Sequence, residues 1–286
     1  MSSPKVWFIT GASTGLGREV TEFALNKGDN VVATLRKPSM LEDLTAQYPS
    51  SRLITLPLDV TDAPSIAIAF DQAISHFNRV DVVFNNAGYC IVSEAEGMPH
   101  KAAREMFDVL FWAAENVMRE AIRCFRDLNR PTGGRLLNVS SRTAIVPQAG
   151  IAHYAAAKAA LGSLTEGYIS ELDPDWHIKI TLLEPALFRT PLTQTCKMEP
   201  IHHAYVSNPS LPSRKYRALY PGIEETSFTG DPAKFAELVY KLSRLDDPPI
   251  HLPLHKVSLE SARKKGEAWL EAAEKWASWS DDVYFT

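Results

Sequence analysis

Hydrophobic residues in the first two-thirds of the chain fall into short runs that alternate with longer stretches of mixed character. The short runs are rich in β-branched and apolar residues, which predicts strands at 6–10, 30–35, 53–58, 80–84, 135–139 and 178–183. The longer stretches carry apolar residues near helical spacing, most clearly from 101 to 129. This alternation indicates βαβ units around a parallel sheet that helices bury on both faces.

The alternation stops after the sixth strand. Residues 191–230 contain several prolines among mixed polar and apolar residues, and loops of this length are uncommon and usually functional. Helical spacing returns at 232–244, and a short apolar run at 250–254 predicts one last strand. We therefore predict a single α/β domain over 1–286, with a substrate-binding loop at about 191–230.

The carboxyl-terminal segment, about 255–286, is predicted to be a helix. It carries tryptophans at helical spacing, namely Trp269, Trp276 and Trp279. They are expected to pack against the rest of the domain or against a second subunit. A membrane-surface helix would need a basic polar face, and Asp281 and Asp282 argue against one.

Composition narrows the function. The chain has 286 residues, of which 45% are hydrophobic and 22% are charged, as in ordinary globular domains. A net charge of −4 and the lack of a long basic block give no support to nucleic-acid binding. Its three cysteines form no metal-ligand spacing and no disulfide framework, which fits a reducing compartment. With no signal-peptide layout and no apolar run of about 18 residues, we expect a cytoplasmic protein without membrane association.

A glycine-rich loop, Thr10-Gly11-Ala12-Ser13-Thr14-Gly15-Leu16-Gly17, joins the first strand to the first helix. Glycines let a backbone approach a phosphate closely, and the following helix offers free N–H groups and the positive end of its dipole. The spacing is G-x-x-x-G-x-G, which differs from the standard dinucleotide fingerprint G-x-G-x-x-G. A plain strand-to-helix turn is the alternative. The residues that we expect to bind a dinucleotide here are Gly11, Ser13, Thr14, Leu16 and Gly17.

The second strand ends in Thr34-Leu35-Arg36-Lys37. An enzyme that prefers NAD places an acidic residue here to bond the ribose 2′-OH, whereas one that prefers NADP needs a cation for the 2′-phosphate. No acid is present, and arginine can bind a phosphate through two parallel hydrogen bonds. We therefore predict NADP(H), bound by Arg36 and Lys37. The alternative is that both are solvated loop charges.

Tyr154 and Lys158 stand four residues apart in an alanine-rich stretch that is predicted to be helical. This spacing places both side chains on one face, one turn apart. A positive charge beside a phenol favours phenolate, so we expect Lys158 to lower the pKa of Tyr154 and to make it a proton donor near neutral pH. A surface pair that happens to share a face is the alternative.

Taken together, these motifs resemble those of the classical short-chain dehydrogenase/reductase family. The resemblance covers about residues 5–190, and the motifs come in the family's order. They are the glycine loop at Gly11, Asp59-Val60, Asn85-Asn86-Ala87-Gly88, Ser140-Ser141, Tyr154 with Lys158, and the segment 185–190. The resemblance implies a Rossmann-type fold, in which helices wind doubly around a parallel sheet and ligands bind at the carboxyl ends of the strands.

For the cofactor, the resemblance implies contacts from four further positions. Asp59 is expected to contact the adenine, and Asn86 to support the cofactor and the central sheet. Leu187 and Thr190 lie in the segment that holds the nicotinamide carboxamide in this family.

For catalysis, the resemblance implies three residues. Ser141 matches the family's catalytic serine, with Ser140 as the less favoured neighbour. Tyr154 is expected to act as general acid in reduction, while Lys158 binds the nicotinamide ribose and lowers the pKa of the tyrosine. A serine of this kind can polarise a carbonyl by hydrogen bonding while hydride arrives at carbon.

Two positions depart from the family pattern. In the long fourth helix the motif reads Asp108-Val109-Leu110, where the family has an asparagine that helps to hold a water of the proton relay behind the lysine. The second departure is Pro185-Ala186 in place of Pro-Gly; because alanine resists a positive φ, we expect a slightly different backbone there.

The sequence thus predicts an NADP(H)-dependent oxidoreductase, a ketoreductase that interconverts a carbonyl and an alcohol on a small hydrophobic molecule. It is expected to need no metal and to form a homodimer or homotetramer. The hydrophobic substrate is inferred from apolar and aromatic loop residues, namely Leu192, Met198, Ile201, Tyr205, Leu211, Tyr216, Leu219 and Tyr220. A cyclase or isomerase that uses NADP structurally, and an NADP-binding regulator, are the alternatives.

Overall fold

A computed structural model of the chain describes residues 3–191, 196–219 and 228–285. The predicted strands are confirmed, with ends that shift by up to two residues. Two short strands, β5 and β8, were not predicted. The strands are β1 Val6–Thr10, β2 Asn30–Leu35, β3 Leu53–Pro57, β4 Val82–Asn85, β5 Ile91–Val92, β6 Gly134–Val139, β7 Ile178–Pro185, β8 Lys197–Met198 and β9 His251–Leu254.

Within these ranges, seven strands form one sheet in the order β3-β2-β1-β4-β6-β7-β9, and every neighbouring pair is parallel. The order reverses between β1 and β4, since the chain first adds strands on one side of β1 and then on the other. Separate hydrophobic clusters cover the two faces of the sheet. The doubly wound parallel fold predicted from the sequence is therefore confirmed.

Helices between the strands cover both faces of the sheet, and the last helix follows the last strand. The helices are α1 Gly15–Asn26, α2 Glu42–Gln47, α3 Ala63–Phe77, α4 His100–Phe107, α5 Ala114–Arg123, α6 Arg142–Ile145, α7 Ala152–Glu171, α8 Pro212–Ala218, α9 Pro232–Leu242 and α10 Lys256–Lys275.

The long helix predicted at 101–129 is not uniform. A π-helical segment, Asp108–Ala113, joins α4 to α5, and a second one follows at Cys124–Leu128. Such widened turns are rare and are frequent at functional sites. The first of them contains Leu110, the residue that departs from the family pattern.

The loop at 191–230 is closed at its base, because Phe188 and Gly230 form a parallel bridge. Its described part contributes β8, which pairs in parallel with β5, and the short helix α8. Leu192 and Tyr220, two of the residues from which a hydrophobic substrate was inferred, lie outside the described residues. In the part of the chain that the structure describes, no helix is both long enough and apolar enough to cross a membrane.

The aromatic residues of α10 and the segment after it do not pack on the domain. Trp269, Trp276 and Trp279 are 68%, 50% and 76% exposed. The expectation that they pack against their own domain is therefore wrong, since residues 263–285 all face solvent in this chain. Packing against a second subunit stays a prediction.

Candidate active site

The glycine loop between β1 and α1 has a backbone that only small residues fit. Gly11 and Gly15 have φ values of +66° and +57°, in the left-handed region that L side chains rarely adopt. A Cβ on Gly17 would overlap the carbonyl oxygen of Gly11 and lie 2.7 Å from the Asn86 amide nitrogen. The loop is thus a tight cradle of backbone, and a plain strand-to-helix turn would not require glycine at all three positions.

The start of α1 faces a cavity of about 420 Å³. Thr14 precedes the helix and makes no side-chain cap, and the first turn carries no acidic residue. Backbone N–H groups and the positive dipole end therefore point to where a diphosphate would lie, so the residues present fit a dinucleotide. The cavity is lined by Ser13, Thr14, Gly15, Arg18, Glu19, Met40, Arg189, Pro191 and Pro232.

Asn86 holds the glycine loop against the end of β4. Its side-chain amide donates to the carbonyl oxygens of Thr10 and Gly11 at 3.0 and 3.3 Å, and its backbone N–H donates to the Thr10 hydroxyl at 2.9 Å. The neighbouring Asn85 donates to the carbonyl of Ala114. These bonds tie β1, β4 and α5 together at the carboxyl ends of the strands.

At the end of β2, Arg36 and Lys37 are exposed. Among the described residues, Arg36 makes no hydrogen bond. Asp59 lies nearby, after β3, and accepts hydrogen bonds from the backbone and hydroxyl of Thr61 at 3.0 and 2.7 Å. These bonds, with a smaller contribution from the charge of Arg36, hold the pKa of Asp59 below its usual value.

The two serines after β6 have different surroundings. The Ser140 hydroxyl donates to the backbone carbonyl of Lys158 at 3.3 Å, so it connects two backbone segments. Ser141 precedes α6, and its Oγ accepts from the backbone N–H and the hydroxyl of Thr143 at 3.1 and 3.0 Å. The Ser141 side chain also interacts with the Tyr154 hydroxyl, and this interaction lowers the pKa of the tyrosine. The structure therefore brings Ser141, and not Ser140, to the tyrosine hydroxyl.

Tyr154 is partly buried in the first turn of α7, against the cluster of Cys90, Val92 and Ile151. Burial raises the pKa of the Tyr154 hydroxyl, the nearby Cys90 thiol raises it further, and the interaction with Ser141 opposes both. The net shift is upward, which is opposite to the shift expected from the sequence. Burial of the hydroxyl outweighs the favourable charge of Lys158, because the ionised phenol would lose its solvation by water.

Lys158 follows one turn later and is 4% exposed. Its ammonium group donates to the backbone carbonyl of Val139, the last residue of β6, at 2.6 Å. Burial lowers the pKa of Lys158 to about 8. The surface-pair alternative is therefore wrong for this residue, since a solvated lysine would be exposed.

Leu110 lies close to this lysine, on the other side of Gly88. It is fully buried, and its Cδ2 would be 2.8 Å from a Cβ placed on Gly88. The Nζ of Lys158 lies 3.9 Å from the same point. A branched aliphatic side chain thus occupies the neighbourhood in which the family places an amide.

The segment after β7 also differs from the sequence-based expectation. Leu187, and not Ala186, has a positive φ, at +55°. The backbone strain is therefore one residue later than expected, at a position whose carbonyl accepts from the Gly230 N–H at 2.9 Å. Thr190 lies across from Gly15, 3.4 Å from a Cβ placed there, so this segment meets the glycine loop.

Sequence reasoning missed a buried polar cluster beneath the loop. Glu94 pairs with Arg217 at 3.1 Å, with side-chain exposures of 1% and 11%. Glu94 also accepts from the backbone N–H of His202 at 3.3 Å. Glu94 and Arg217 are 123 positions apart, and no periodic or motif signal connects them.

The chain matches the family model for short chain dehydrogenase over residues 5–200. It is 37% identical over 258 residues to an uncharacterised oxidoreductase of Schizosaccharomyces pombe, covering 90% of this chain and 84% of that protein. It is 30% identical over 279 residues to the oxidoreductase calM of Penicillium decumbens, covering 96% of this chain and 91% of that protein. A short-chain dehydrogenase structure from Streptomyces avermitilis matches with a TM-score of 0.86 at 31% identity, covering 99% of this chain and 100% of that one.

Two more distant structures have bound cofactors. A short chain dehydrogenase from Burkholderia cenocepacia in complex with NADP has a TM-score of 0.70 at 22% identity, covering 96% and 97% of the two chains. One from Burkholderia phymatum in complex with NAD has a TM-score of 0.75 at 21% identity, covering 94% and 95%. At these identities the likeness concerns the fold alone, and that fold accepts either dinucleotide.

Proposed function

The chain belongs to the short-chain dehydrogenase/reductase family, whose enzymes are oxidoreductases with a nicotinamide cofactor, and from this we propose that it is an NADP(H)-dependent ketoreductase. It interconverts a carbonyl and an alcohol on a small hydrophobic molecule. The observation that carries the proposal is the meeting of Ser141, Tyr154 and Lys158 at the carboxyl end of β6.

The residues of the cradle would hold the dinucleotide. Backbone groups of Ser13 and Thr14 and the start of α1 suit the diphosphate, Asn86 keeps the loop in place, and Thr190 and Leu187 border the nicotinamide end. When bound, the cofactor supplies or accepts the hydride at the carbonyl carbon.

Tyr154 acts as the general acid in reduction. Because its pKa is raised, the hydroxyl is protonated at neutral pH and has a proton to give to the substrate oxygen. Ser141 donates to the same oxygen and polarises the carbonyl, while Thr143 fixes the orientation of the serine. Lys158 stands one turn along α7, where its charge favours the phenolate that forms.

NADP(H) is proposed over NAD(H) because of the end of β2. Arg36 is an exposed guanidinium beside the expected adenosine position, and Asp59 is engaged by Thr61. A free cation there suits a ribose 2′-phosphate, and an acid that would bond the 2′-OH is missing at this strand end in the described chain.

A hydrophobic substrate is proposed because apolar side chains surround Tyr154. Val92 and Ile151 form a buried cluster with Cys90, and Met198 and Tyr216 of the loop pack against it. Tyr216 lies close over Gly150, where an added Cβ would be 2.9 Å from its ring. A charged substrate would lose its solvation in such surroundings.

The test is the oxidation of NADPH by a panel of aliphatic and aromatic ketones, followed by loss of absorbance. We expect turnover in the wild type and a fall of about 10²- to 10⁴-fold in Tyr154→Phe, the usual contribution of a general acid. Tyr168→Phe is the matched control, since this tyrosine lies on the same helix but hydrogen-bonds Glu115. Equal turnover in Tyr154→Phe and the wild type would contradict the proposal.

A non-redox reaction on the same scaffold is the second candidate, and Leu110 is the observation that favours it. Leucine cannot hold a relay water by its side chain, so proton supply to Lys158 must use the backbone or be slow. If the wild type reduces ketones slowly and Leu110→Asn is faster, the relay limits the reductase. Product formed by the wild type without consumption of NADPH would favour the cyclase or isomerase. Binding of NADPH without any reaction would favour the regulator.

Homo-oligomerisation and a cytoplasmic location belong to the same proposal. Trp112 on the long helix is 56% exposed, and the tryptophans of the carboxyl-terminal segment are exposed as well. Exposed tryptophans are common at interfaces. Free thiols fit a reducing compartment. Light scattering would measure the oligomeric state, and a monomer at micromolar concentration would contradict this part of the proposal.

A further inference from the structure

The thiols of Cys90 and Cys196 lie next to each other beside Tyr154. We propose that they form a reversible disulfide that fastens residues 196–219, the described part of the loop, to the segment after β4. The pair is a modification site on which the catalytic reaction does not depend. Only the effect of the disulfide on turnover rests on the proposed function.

The strand register brings the two cysteines together. In the parallel pair of β5 and β8, Ile91 stands opposite Lys197 and Val92 opposite Met198. Cys90 and Cys196 precede these partners by one residue each, so the same register, continued by one residue, places them opposite each other on one face. Paired strands lie about 4.8 Å apart, within the Cα separation of about 4.4–6.8 Å that a disulfide spans.

Contacts between the two residues agree with this register. The Sγ of Cys196 lies 3.0 Å from the carbonyl oxygen of Cys90. Each thiol also shifts the pKa of the other, so the two side chains interact. Both pack in the cluster that covers Tyr154. A bond between them therefore needs little movement of either strand.

The two thiols have complementary roles in oxidation. Cys90 is buried, whereas Cys196 is partly exposed, so an oxidant reaches Cys196 first. The interaction with Cys90 lowers the pKa of Cys196, and that same interaction, with burial, raises the pKa of Cys90. The thiolate is the nucleophile, so Cys196 is the residue that reacts and Cys90 the one that resolves.

A peroxide is the oxidant that the chemistry suits. The Cys196 thiolate attacks one oxygen of hydrogen peroxide; an S–O bond forms, the O–O bond breaks, and hydroxide leaves and is protonated to water. The Cys90 sulfur then attacks the Cys196 sulfenic acid; the S–S bond forms, the S–O bond breaks, and the hydroxyl leaves as water with the thiol proton. Two thiols lose two electrons and two protons, and the peroxide becomes two molecules of water.

The expected consequence is a loop that cannot leave Tyr154. β8 carries Met198, and the chain continues to Tyr216, which packs on the same cluster. With Cys196 bonded to Cys90, the covering residues stay over the tyrosine hydroxyl, and a ketone cannot enter. Reduction by a dithiol releases the strand.

The direct test needs no substrate. The protein is treated with a small molar excess of hydrogen peroxide, and its mass, its thiol content in denaturant and its disulfide-linked peptides are measured. We expect the wild type to lose two hydrogen atoms, to fall from three free thiols to one, and to yield one peptide pair joined through Cys90 and Cys196. A dithiol should restore all three thiols.

The control variants identify the pair. Cys124 is buried in a different hydrophobic cluster from Cys90 and Cys196, at the end of the long helix, so Cys124→Ser should form the same disulfide as the wild type. Cys90→Ser and Cys196→Ser should form none, and circular dichroism checks that both fold. The proposal is wrong if folded wild type yields only higher oxides of Cys196, or disulfides between chains, with no Cys90–Cys196 peptide.

Turnover and proteolysis then separate the disulfide from its effect. Oxidised wild type should lose at least about 90% of its NADPH-dependent turnover and recover it with a dithiol, whereas peroxide should not change the turnover of Cys196→Ser relative to the untreated variant. Cleavage within the loop by trypsin should slow in oxidised wild type only. If neither the wild type nor any variant turns over a ketone, the proposed function is wrong, and the Cys90–Cys196 peptide still shows whether the disulfide forms. If the peptide is found but turnover is unchanged, the disulfide forms without blocking substrate entry.

Discussion

The glycine-loop region, residues 6–36, and the covering region, residues 90–98 with 196–219, are built differently. The glycine-loop region is a continuous βαβ unit whose shape follows from backbone: left-handed glycines, a helix start and parallel ladders. The covering region joins segments about a hundred positions apart. A short ladder of two residue pairs between β5 and β8 connects them, and side chains add the Glu94–Arg217 pair and the contact of the Cys196 thiol with the Cys90 carbonyl.

This difference suggests how the enzyme divides its tasks. Backbone geometry can recognise a cofactor common to a whole family, because it tolerates no side chain at the critical positions and leaves little to vary. Side-chain contacts between distant segments can be altered by single substitutions without disturbing the backbone, which suits the recognition of a particular substrate. The same arrangement makes the covering region open to control by oxidation.

The largest expected effect concerns the buried ion pair of the covering region. Arg217→Met leaves Glu94 buried without its partner, so we expect the free energy of unfolding of this region to fall by about 3–5 kcal/mol. Hydrogen exchange of residues 196–219 would measure it. Arg123→Met is the control, since Arg123 pairs with Asp71 at the surface and should cost at most about 1 kcal/mol. Equal losses in the two variants would mean that the pair contributes no more than a surface contact.

The glycine-loop region should respond to a single methyl group. In Gly17→Ala the Cβ meets the Gly11 carbonyl, so the loop must shift; we expect destabilisation of about 3 kcal/mol and loss of measurable NADPH binding. Gly162→Ala, on α7 with open space around it, should instead stabilise by about 0.5–1 kcal/mol. Denaturant unfolding and calorimetric titration would measure both. If Gly17→Ala binds NADPH normally, the cradle does not depend on close backbone packing.

Cofactor choice should depend on one exposed side chain. Arg36→Ala removes charge-assisted hydrogen bonds worth about 1.5–3 kcal/mol, so the Kd for NADPH should rise about 10- to 100-fold while that for NADH is unchanged. Arg104→Ala, another exposed cation, should change neither. A wild type that binds NADH as tightly as NADPH would overturn the predicted preference.

The smallest expected effect is a pH dependence of stability. Below about pH 8 Lys158 is charged in the folded and the unfolded protein, but between about pH 8 and its usual pKa of 10.5 only the unfolded state holds the proton. The free energy of unfolding therefore rises with pH in this window, by at most about 1.4 kcal/mol per pH unit. Subtracting the pH profile of Lys158→Met isolates this contribution, and a flat difference between the two proteins would contradict it.

The sequence by itself determined the strands, the glycine loop and the family motifs in their order. Strand and helix periodicity is visible over a few consecutive residues, and the glycines indicate a backbone with positive φ and close packing in the loop itself. The tyrosine–lysine spacing was visible for the same reason, since one helical turn sets it.

Only the tertiary structure decided what surrounds these motifs. It brought Cys90 to Cys196 and Glu94 to Arg217, placed Leu110 close to Lys158, and turned Ser141 rather than Ser140 toward the tyrosine. It also reversed the expected direction of the Tyr154 pKa shift, because distant segments exclude water from the hydroxyl. Burial depends on how the entire chain packs, so no local pattern of residues predicts it.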